Sequence, residues 1–187
     1  MNFIQLAKER YSVRKFSDKR VEKEKLDLIL EVGRVAPTAV NYQPQRILVI
    51  ESEDSLAKLK SCTRYHFNAP LALLVCYDST VCWKRDYDNE DSGIVDASIV
   101  ATQMMLQVHE LGLGSTWVGN FNLDIIRKDF ELPEYLVPVV LLPIGYPRSD
   151  SAPSKNHNKR YDIKDTVFFN SFKGITQASE NKGKREL

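Results

Sequence analysis

The stretch 92–111 constrains the fold more than any other part of the chain, because its apolar residues recur every three or four positions. This spacing predicts one long helix, and Gly112 and Gly114 are placed to end it. Its apolar residues cover a wide arc, so we expect a buried helix at the centre of the fold. The residues that set the rhythm are Ile94, Ala97, Ala101, Met104, Met105, Val108 and Leu111.

Short apolar runs rich in β-branched residues predict the strands. Pro138 and Pro143 favour a strand end or a sheet edge for the last of these runs, because proline cannot donate a ladder hydrogen bond. The predicted strands are residues 45–51, 71–77, 115–119 and 137–144.

Four further helices alternate with these strands. The first would bury Phe3, Leu6 and Ala7, and Ser52 and Asn122 are good caps for two of the others. The predicted spans are 2–9, 22–36, 53–60 and 123–130. Interleaved helices and strands indicate a mixed α and β fold, with one sheet covered by helices.

Composition excludes several classes of protein. Of 187 residues, 43% are hydrophobic and 27% are charged, and the net charge of +1 argues against a polyanionic partner. Only the short basic cluster 155–164 favours nucleic acid. We expect one domain over residues 1–175 and a frayed polar tail at 176–187.

The cysteines and histidines indicate neither a disulfide framework nor a metal site. Cys62, Cys76 and Cys82 are odd in number and lack C-x-x-C spacing, which predicts reduced thiols. The histidines are too far apart to form a metal-ligand pattern. With neither a signal peptide nor an apolar run of about 18 residues, a soluble cytoplasmic protein without a membrane partner is expected.

Residues 10–16, Arg-Tyr-Ser-Val-Arg-Lys-Phe, form a basic segment with two arginines and a hydroxyl. Guanidinium groups form paired, planar hydrogen bonds with phosphate oxygens. A helical turn would put Arg10 and Arg14 on one face, so the segment suggests phosphate binding. A solvated basic loop is the alternative that spacing alone favours.

Two later segments combine small residues, glycines and amides. The proline loop, residues 36–45, is predicted to be a rigid connection whose backbone and amides can face a flat polar heterocycle. In the glycine segment, residues 112–121, glycines allow a ligand to approach the backbone, although no G-x-G-x-x-G is present. An ordinary connection and helix capping are the respective alternatives.

Residues 143–147, Pro-Ile-Gly-Tyr-Pro, end the last predicted strand in a turn, and Lys159 and Arg160 follow as a late basic pair. A plain turn and a solvated tail would explain these features separately. In this order and spacing, however, the four patterns together resemble the nitroreductase family over about residues 3–167.

The resemblance implies an α+β fold with a central, mostly antiparallel sheet flanked by helices. It also implies a homodimer with FMN in each of two interface clefts, and residues 168–172 could be an anchor exchanged between the chains. The phosphate would be held by Arg10, Ser12, Lys159 and Arg160, with Tyr11 in the same basic segment, and Arg14 would lie at the pyrimidine edge.

The remaining flavin contacts implied by the resemblance come from the other two segments. The proline loop would reach the flavin from the other subunit, and the glycine segment would direct a backbone N–H at flavin N5. The residues concerned are Pro37, Thr38, Ala39, Asn41 and Gln43 in the first, and Val118, Gly119 and Asn120 in the second.

The activity implied by the resemblance is hydride transfer from NADPH or NADH to flavin N5, followed by reduction of a nitroaromatic, quinone or similar small acceptor. No side chain is expected to act as nucleophile or general base. Gln45 and the short loop near 62–70 leave open an oxidase or dehalogenase-like activity. The same residues are also compatible with a non-catalytic flavin-binding protein and, remotely, with a nucleic-acid binder.

Overall fold

The computed structural model describes residues 2–173, and the predicted tail at 176–187 lies outside this range. Helices and strands alternate along the chain as expected. The helices are α1 (Phe3–Glu9), α2 (Lys23–Arg34), α3 (Glu53–Cys62), α4 (Gly93–Glu110) and α5 (Leu123–Asp129). The strands are β1 (Gln45–Ile50), β2 (Leu71–Asp78), β3 (Gly114–Ser115) and β4 (Leu136–Gly145).

The described strands form one antiparallel sheet in the order β1-β2-β4-β3. At one end of the sheet, Gln45 of β1 lies opposite Tyr77 of β2. At the other end, Leu71 of β2 lies opposite Ile144 of β4, which in turn faces Ser115 of β3. The predicted α+β class with an antiparallel sheet is confirmed.

The sheet forms the middle layer between two helical layers, and β2 is buried along its whole length. Successive residues of β2 belong alternately to two apolar clusters, because successive side chains of a strand point to opposite faces of the sheet. One cluster contains residues of α2 and α4, and the other contains Leu59 of α3 and Ile126 of α5. Each fully buried Leu or Ile contributes roughly 1.5–3 kcal/mol. The central position of α4 is confirmed.

The predicted caps Ser52 and Asn122 and the predicted stop at Gly112 are also confirmed, whereas α2 ends at Arg34 rather than at residue 36. The Ser52 hydroxyl accepts the N–H of Ser55 at 3.2 Å, and the Asn122 side chain accepts the N–H of Ile125 at 3.1 Å. Gly112 follows α4 with a φ of 74°, a conformation that favours glycine.

Of the two positions expected for Pro138 and Pro143, a strand end or a sheet edge, the edge is wrong, since β4 lies between β2 and β3. Pro138 lies beside a register shift in the β2–β4 ladder, where regular pairing is interrupted. The N–H of Leu141 donates to the carbonyl of Val118, on the edge of β4 that faces away from β2. Pro143 is two residues further on, so its nitrogen faces the same edge. Because β3 ends at Ser115, Pro143 removes little regular pairing.

Other expectations failed where an apolar residue was assumed to be buried. Phe3 and Ile94 are 66% and 59% exposed, Ala7 is exposed and Leu6 is half-buried. Both helices present an apolar side to the surface of the single chain. The strand expected at 115–119 is shorter than predicted: only Gly114–Ser115 pairs as a strand, and Val118 adds an isolated bridge.

Contacts divide the chain into a first unit, Met1–Ser154, and a second unit that begins at Lys155. In the second unit, Ile163–Asp165 form a short 3-10 helix, and the rings of Phe168 and Phe172 lie 5.3 Å apart. A single domain over 1–175 remains a prediction. Between residues 2 and 173, no helix is both long and apolar enough to cross a membrane.

Candidate functional site

The basic segment runs in extended conformation beside the short strand β3. Ser12 forms a parallel bridge with Ser115, and the N–H of Val13 donates to the Ser115 carbonyl at 3.0 Å. The helical turn expected to bring Arg10 and Arg14 onto one face is therefore absent from this segment, because α1 ends at Glu9 and the backbone then pairs with β3.

Burial separates the structural from the available side chains of this segment. Val13 and Phe16 are buried, whereas Arg14 is exposed and donates to the Ser12 carbonyl at 3.3 Å. Tyr11 is half-buried, and its hydroxyl lies 3.4 Å from that of Ser151. Anchoring by the apolar side chains leaves cationic and hydroxyl groups on a fixed backbone.

Gly114 explains how the basic segment can lie so close to β3. A Cβ at this position would lie 2.4 Å from Cγ2 of Val13. The glycine was expected to admit a ligand, but the group that approaches it is the neighbouring segment of the same chain. Two motifs about a hundred residues apart are thereby joined.

The glycine segment continues from β3 to an open position at Gly119. Val118 exchanges two backbone hydrogen bonds of 2.9 Å with Leu141, so its N–H is already used within the protein. Next to it, Gly119 is exposed, and a Cβ there would meet no described atom within 4 Å. A flat ligand could approach the backbone at this point.

Thr63 fixes the end of the glycine segment and was not identified from the sequence. Its side chain is buried, and its hydroxyl donates to the Asn120 carbonyl at 2.6 Å while accepting the N–H of Tyr65 at 3.1 Å. The Asn122 N–H donates to the Cys62 carbonyl at 2.8 Å. A threonine after a helix is too common to have signalled this contact.

The proline loop is closed by Thr38. The Thr38 carbonyl accepts the N–H of Asn41, and its hydroxyl accepts the N–H of Gln43, both at 3.0 Å. Val40, Asn41 and Gln43 all have φ values between 52° and 57°. Non-glycine residues rarely adopt this region, and residues held there cluster at functional sites.

Asp96, in the first turn of α4, is a second residue that sequence reasoning missed. It is 2% exposed and accepts the N–H of Ala39 in the proline loop at 2.9 Å. One aspartate within an otherwise apolar helical pattern was the available signal, because a buried carboxylate needs hydrogen-bond donors.

The basic segment and the proline loop lie at different corners of the sheet. Ser12 pairs with Ser115 beyond β4, at the end where Ile144 faces Leu71, whereas Gln45 begins β1 opposite Tyr77. Four strand spacings and six residue steps separate Ser12 from Gln45, which corresponds to about 28 Å. The structure thus joins the basic and glycine segments, and the proline loop stands apart within one chain.

The late basic pair belongs to the second unit. Lys159 and Arg160 are both exposed, and the Arg160 guanidinium donates to the carbonyl groups of His157 and Lys159. Pro37, at the start of the proline loop, is also exposed.

Tyr146 of the Gly-Tyr-Pro turn has a structural role. Its hydroxyl donates to Glu22 at 2.7 Å and accepts from Lys25 at 2.8 Å, and the Lys19 ammonium lies 4.0 Å from its ring centre. The hydrogen bond from Tyr146 and, to a smaller extent, that from Lys19 lower the pKa of Glu22 to about 2. The turn therefore fastens the end of β4 to the start of α2.

Comparison with known proteins assigns the family. The sequence model of the nitroreductase family matches residues 7–67 and 66–146. A nitroreductase family protein from Clostridium difficile, solved as a crystal structure, is 44% identical, with a TM-score of 0.86 over 91% of this chain and 99% of that chain. An FMN-dependent nitroreductase structure from the same species is 32% identical, with a TM-score of 0.75 over 91% and 100%.

A curated relative gives the same result. A Methanothermobacter thermautotrophicus protein, provisionally named NADH dehydrogenase/NAD(P)H nitroreductase, is 32% identical over 154 residues, or 79% of this chain and 78% of the relative. The match to the family model, the antiparallel sheet and the contact between the basic and glycine segments all point to the same family. This chain belongs to the nitroreductase family.

Proposed function

We propose that the protein is an FMN-dependent oxidoreductase that takes electrons from NAD(P)H and passes them to a nitroaromatic, a quinone or a similar small acceptor. The observation that carries this proposal is the hydrogen bond from Val13 to Ser115, which holds the basic segment against the glycine segment. A phosphate bound by the first segment and a flat ring bound by the second would then be adjacent.

The residues present fit FMN. Gly119 leaves open space on the backbone, as close approach of a planar ring requires. Since the N–H of Val118 is donated to Leu141, an N–H directed at the ring would come from Gly119 or Asn120. Thr63 holds the Asn120 carbonyl and so limits rotation of this backbone.

The cationic side chains of the chain would hold and polarise the cofactor. Arg10 and Ser12 would bind the phosphate, because guanidinium and hydroxyl groups match its oxygens. Lys159 and Arg160 of the second unit carry groups of the same phosphate-binding chemistry. Arg14, which is exposed beside Ser12, would lie at the pyrimidine edge and stabilise negative charge there.

Bound FMN would supply the two-electron redox chemistry between a reduced nicotinamide and an oxidised acceptor. The protein would orient both reactants in turn on one face of the cleft and limit access of water. This division of tasks requires no side-chain nucleophile or general base.

We further propose that two copies of the chain complete each site. The distance of about 28 Å between Ser12 and the start of β1 is long for one cofactor to span, so the proline loop would serve the cleft of the other copy. Pro37, Thr38, Ala39, Asn41 and Gln43 would then face a flavin held by the partner's basic segment.

Exposed apolar side chains support this homodimer. Phe3, Ile94, Val95 and Val40 are each 59–66% exposed, and Phe172 in the second unit is 69% exposed. A contact between two copies of the chain would bury side chains of this kind. Phe168 and Phe172, whose rings are in contact, are the proposed anchor between chains.

A cytoplasmic location is proposed as well. Cys62, Cys76 and Cys82 are free and buried, and burial raises the pKa of the Cys76 thiol to about 12. Unreactive, unpaired thiols are common in reducing compartments.

The first experiment is a visible spectrum of the purified protein after addition of FMN and removal of the excess, followed by anaerobic NADPH or NADH. We expect a retained flavin spectrum that bleaches, and reoxidation by a nitroaromatic or quinone. Retained flavin that does not bleach would favour an oxidase-like or non-catalytic protein. Loss of all flavin on desalting would contradict the proposal.

A further inference from the structure

Asp96 is a buried carboxylate that connects two distant parts of the chain. Its Oδ1 accepts the backbone N–H of Ala39 at 2.9 Å, and its Oδ2 accepts the hydroxyl of Ser92 at 2.7 Å. Only 2% of the residue is exposed, so water competes weakly for these hydrogen bonds. The carboxylate is therefore fixed by one contact and fixes the proline loop by the other.

The loop that Asp96 holds is conformationally strained. Val40, Asn41 and Gln43 have positive φ values, and for β-branched valine this conformation is a clear outlier. Such backbone persists only where its surroundings over-determine it. Thr38 closes the loop from within, whereas Asp96 attaches it to a helix that is buried in the core.

The position of Asp96 suits this task. It lies in the first turn of α4, where the helix dipole favours negative charge. Ala97 and Val100, which follow it in the same helix, are fully buried. A donor bound to Asp96 is consequently held by a rigid element rather than by another loop.

We propose that Asp96 is a positioning residue that sets the geometry of the proline loop for flavin binding. The inference rests on the proposed function, because the loop's target is the flavin. Asp96 itself would not touch the cofactor. It would act through Ala39, whose N–H it holds, and with Ser92 as the group that orients its carboxylate.

The test compares Asp96→Ala with Asp96→Asn. We expect Asp96→Ala to weaken the Kd for FMN about tenfold or more, because a buried N–H loses its acceptor and the strained loop relaxes. Asp96→Asn retains an acceptor for Ala39 and can donate to Ser92, so it should stay within about threefold of wild type. Hydrogen exchange at residues 36–44 should accelerate in Asp96→Ala only.

Ile50→Val is the matched control, since Ile50 is buried at the far end of β1 and this change lowers stability without touching the loop. FMN binding of the two variants is compared at temperatures equally far below each Tm. Weaker binding in Asp96→Ala than in Ile50→Val would support the positioning role of Asp96. Equal binding or unchanged exchange would overturn it. If Asp96→Ala does not fold, Ser92→Ala must show a smaller loss of FMN affinity and faster exchange, or the inference fails.

Wild-type protein separates this inference from the proposed function. If wild type retains FMN and the Asp96 variants match it, only the positioning role is wrong. If wild type retains none, the proposed function fails, and faster exchange at residues 36–44 in Asp96→Ala still decides whether Asp96 fixes the loop.

Discussion

Arg10 carries the charge on which cofactor retention most depends under the proposed function. The phosphate of FMN needs cationic donors, and Ser12 in the same segment can offer only a neutral hydroxyl. The backbone of this segment is held to β3 by the N–H of Val13, whose side chain is buried.

Arg10→Ala is therefore expected to weaken FMN binding about 10- to 100-fold, since a charged hydrogen bond contributes about 1.5–3 kcal/mol. Titration of apoprotein with FMN, followed by flavin fluorescence, measures this change. Arg20→Ala is the control, because Arg20 is exposed and its ion pair with Glu53 is long, at 3.8 Å. An unchanged Kd in Arg10→Ala would count against the phosphate assignment.

Glu22 makes the stability of the folded protein sensitive to acid. Hydrogen bonds from Tyr146 and Lys19 lower its pKa from 4.5 to about 2, so its ionised form is favoured by folding. This contribution is complete above pH 4.5 and is lost as the pH falls toward 2.

Tyr146→Phe removes the larger cause of this shift, so the pKa of Glu22 should rise toward its ordinary value. We expect Tm to fall less between pH 4.5 and pH 2 in this variant than in wild type, because less Glu22-linked stability remains to be lost, as measured by thermal melts between pH 2 and 6. Tyr87→Phe, at a residue that is 97% exposed, should behave as wild type. Identical Tm profiles for Tyr146→Phe and wild type would refute the linkage.

At the level of elements, the two ends of the glycine segment have different tasks. Gly114 allows the basic segment to pack against β3, and Gly119 leaves open space beside the backbone. Both glycines stand in one sequence motif, and the motif alone does not show which glycine allows packing and which allows a ligand to approach. The atoms around each glycine in the structure distinguish the two roles.

Gly114→Ala should lower stability by about 1–3 kcal/mol, because the new methyl group would overlap with Val13. Gly119→Ala should leave Tm within a few degrees of wild type but weaken FMN binding, because the methyl group would occupy the proposed ring surface. Thermal melts and FMN titration of both variants test this pair. A large loss of Tm in Gly119→Ala, or full FMN affinity, would contradict the assignment.

The elements themselves were largely predictable from the sequence. The Ser52 and Asn122 caps and the end of α4 at Gly112 depend on contacts within a few residues, which local sequence encodes. The length of β3 was not predictable, since it depends on where β4 and the basic segment lie.

At the level of the whole molecule, the proposed dimer makes the position of the proline loop decisive for which chain serves which site. If the loop acts on the other copy, each cleft takes its basic segment from one chain and its loop from the other. Variants in these two parts then combine differently in a mixed dimer than in either parent.

Mixing the Arg10→Ala and Asp96→Ala proteins tests this arrangement. The mixed dimer should contain one cleft with both defects and one intact cleft, so it should bind about one FMN per dimer with wild-type affinity. Separately tagged chains, purified as the mixed dimer and titrated with FMN, give the measurement. Recovery of no tight site would indicate that loop and basic segment act within the same chain.

By itself, the sequence determined the order of helices and strands, the mixed α and β class and the segments that carry the family motifs. These features follow from periodicity, caps and residue types, all of which act over a few positions. Only the tertiary structure decided that Val13 packs on Gly114, that Thr63 holds Asn120 and that Asp96 holds Ala39. Such contacts join residues 57 or more positions apart, and strand order and register bring those residues together.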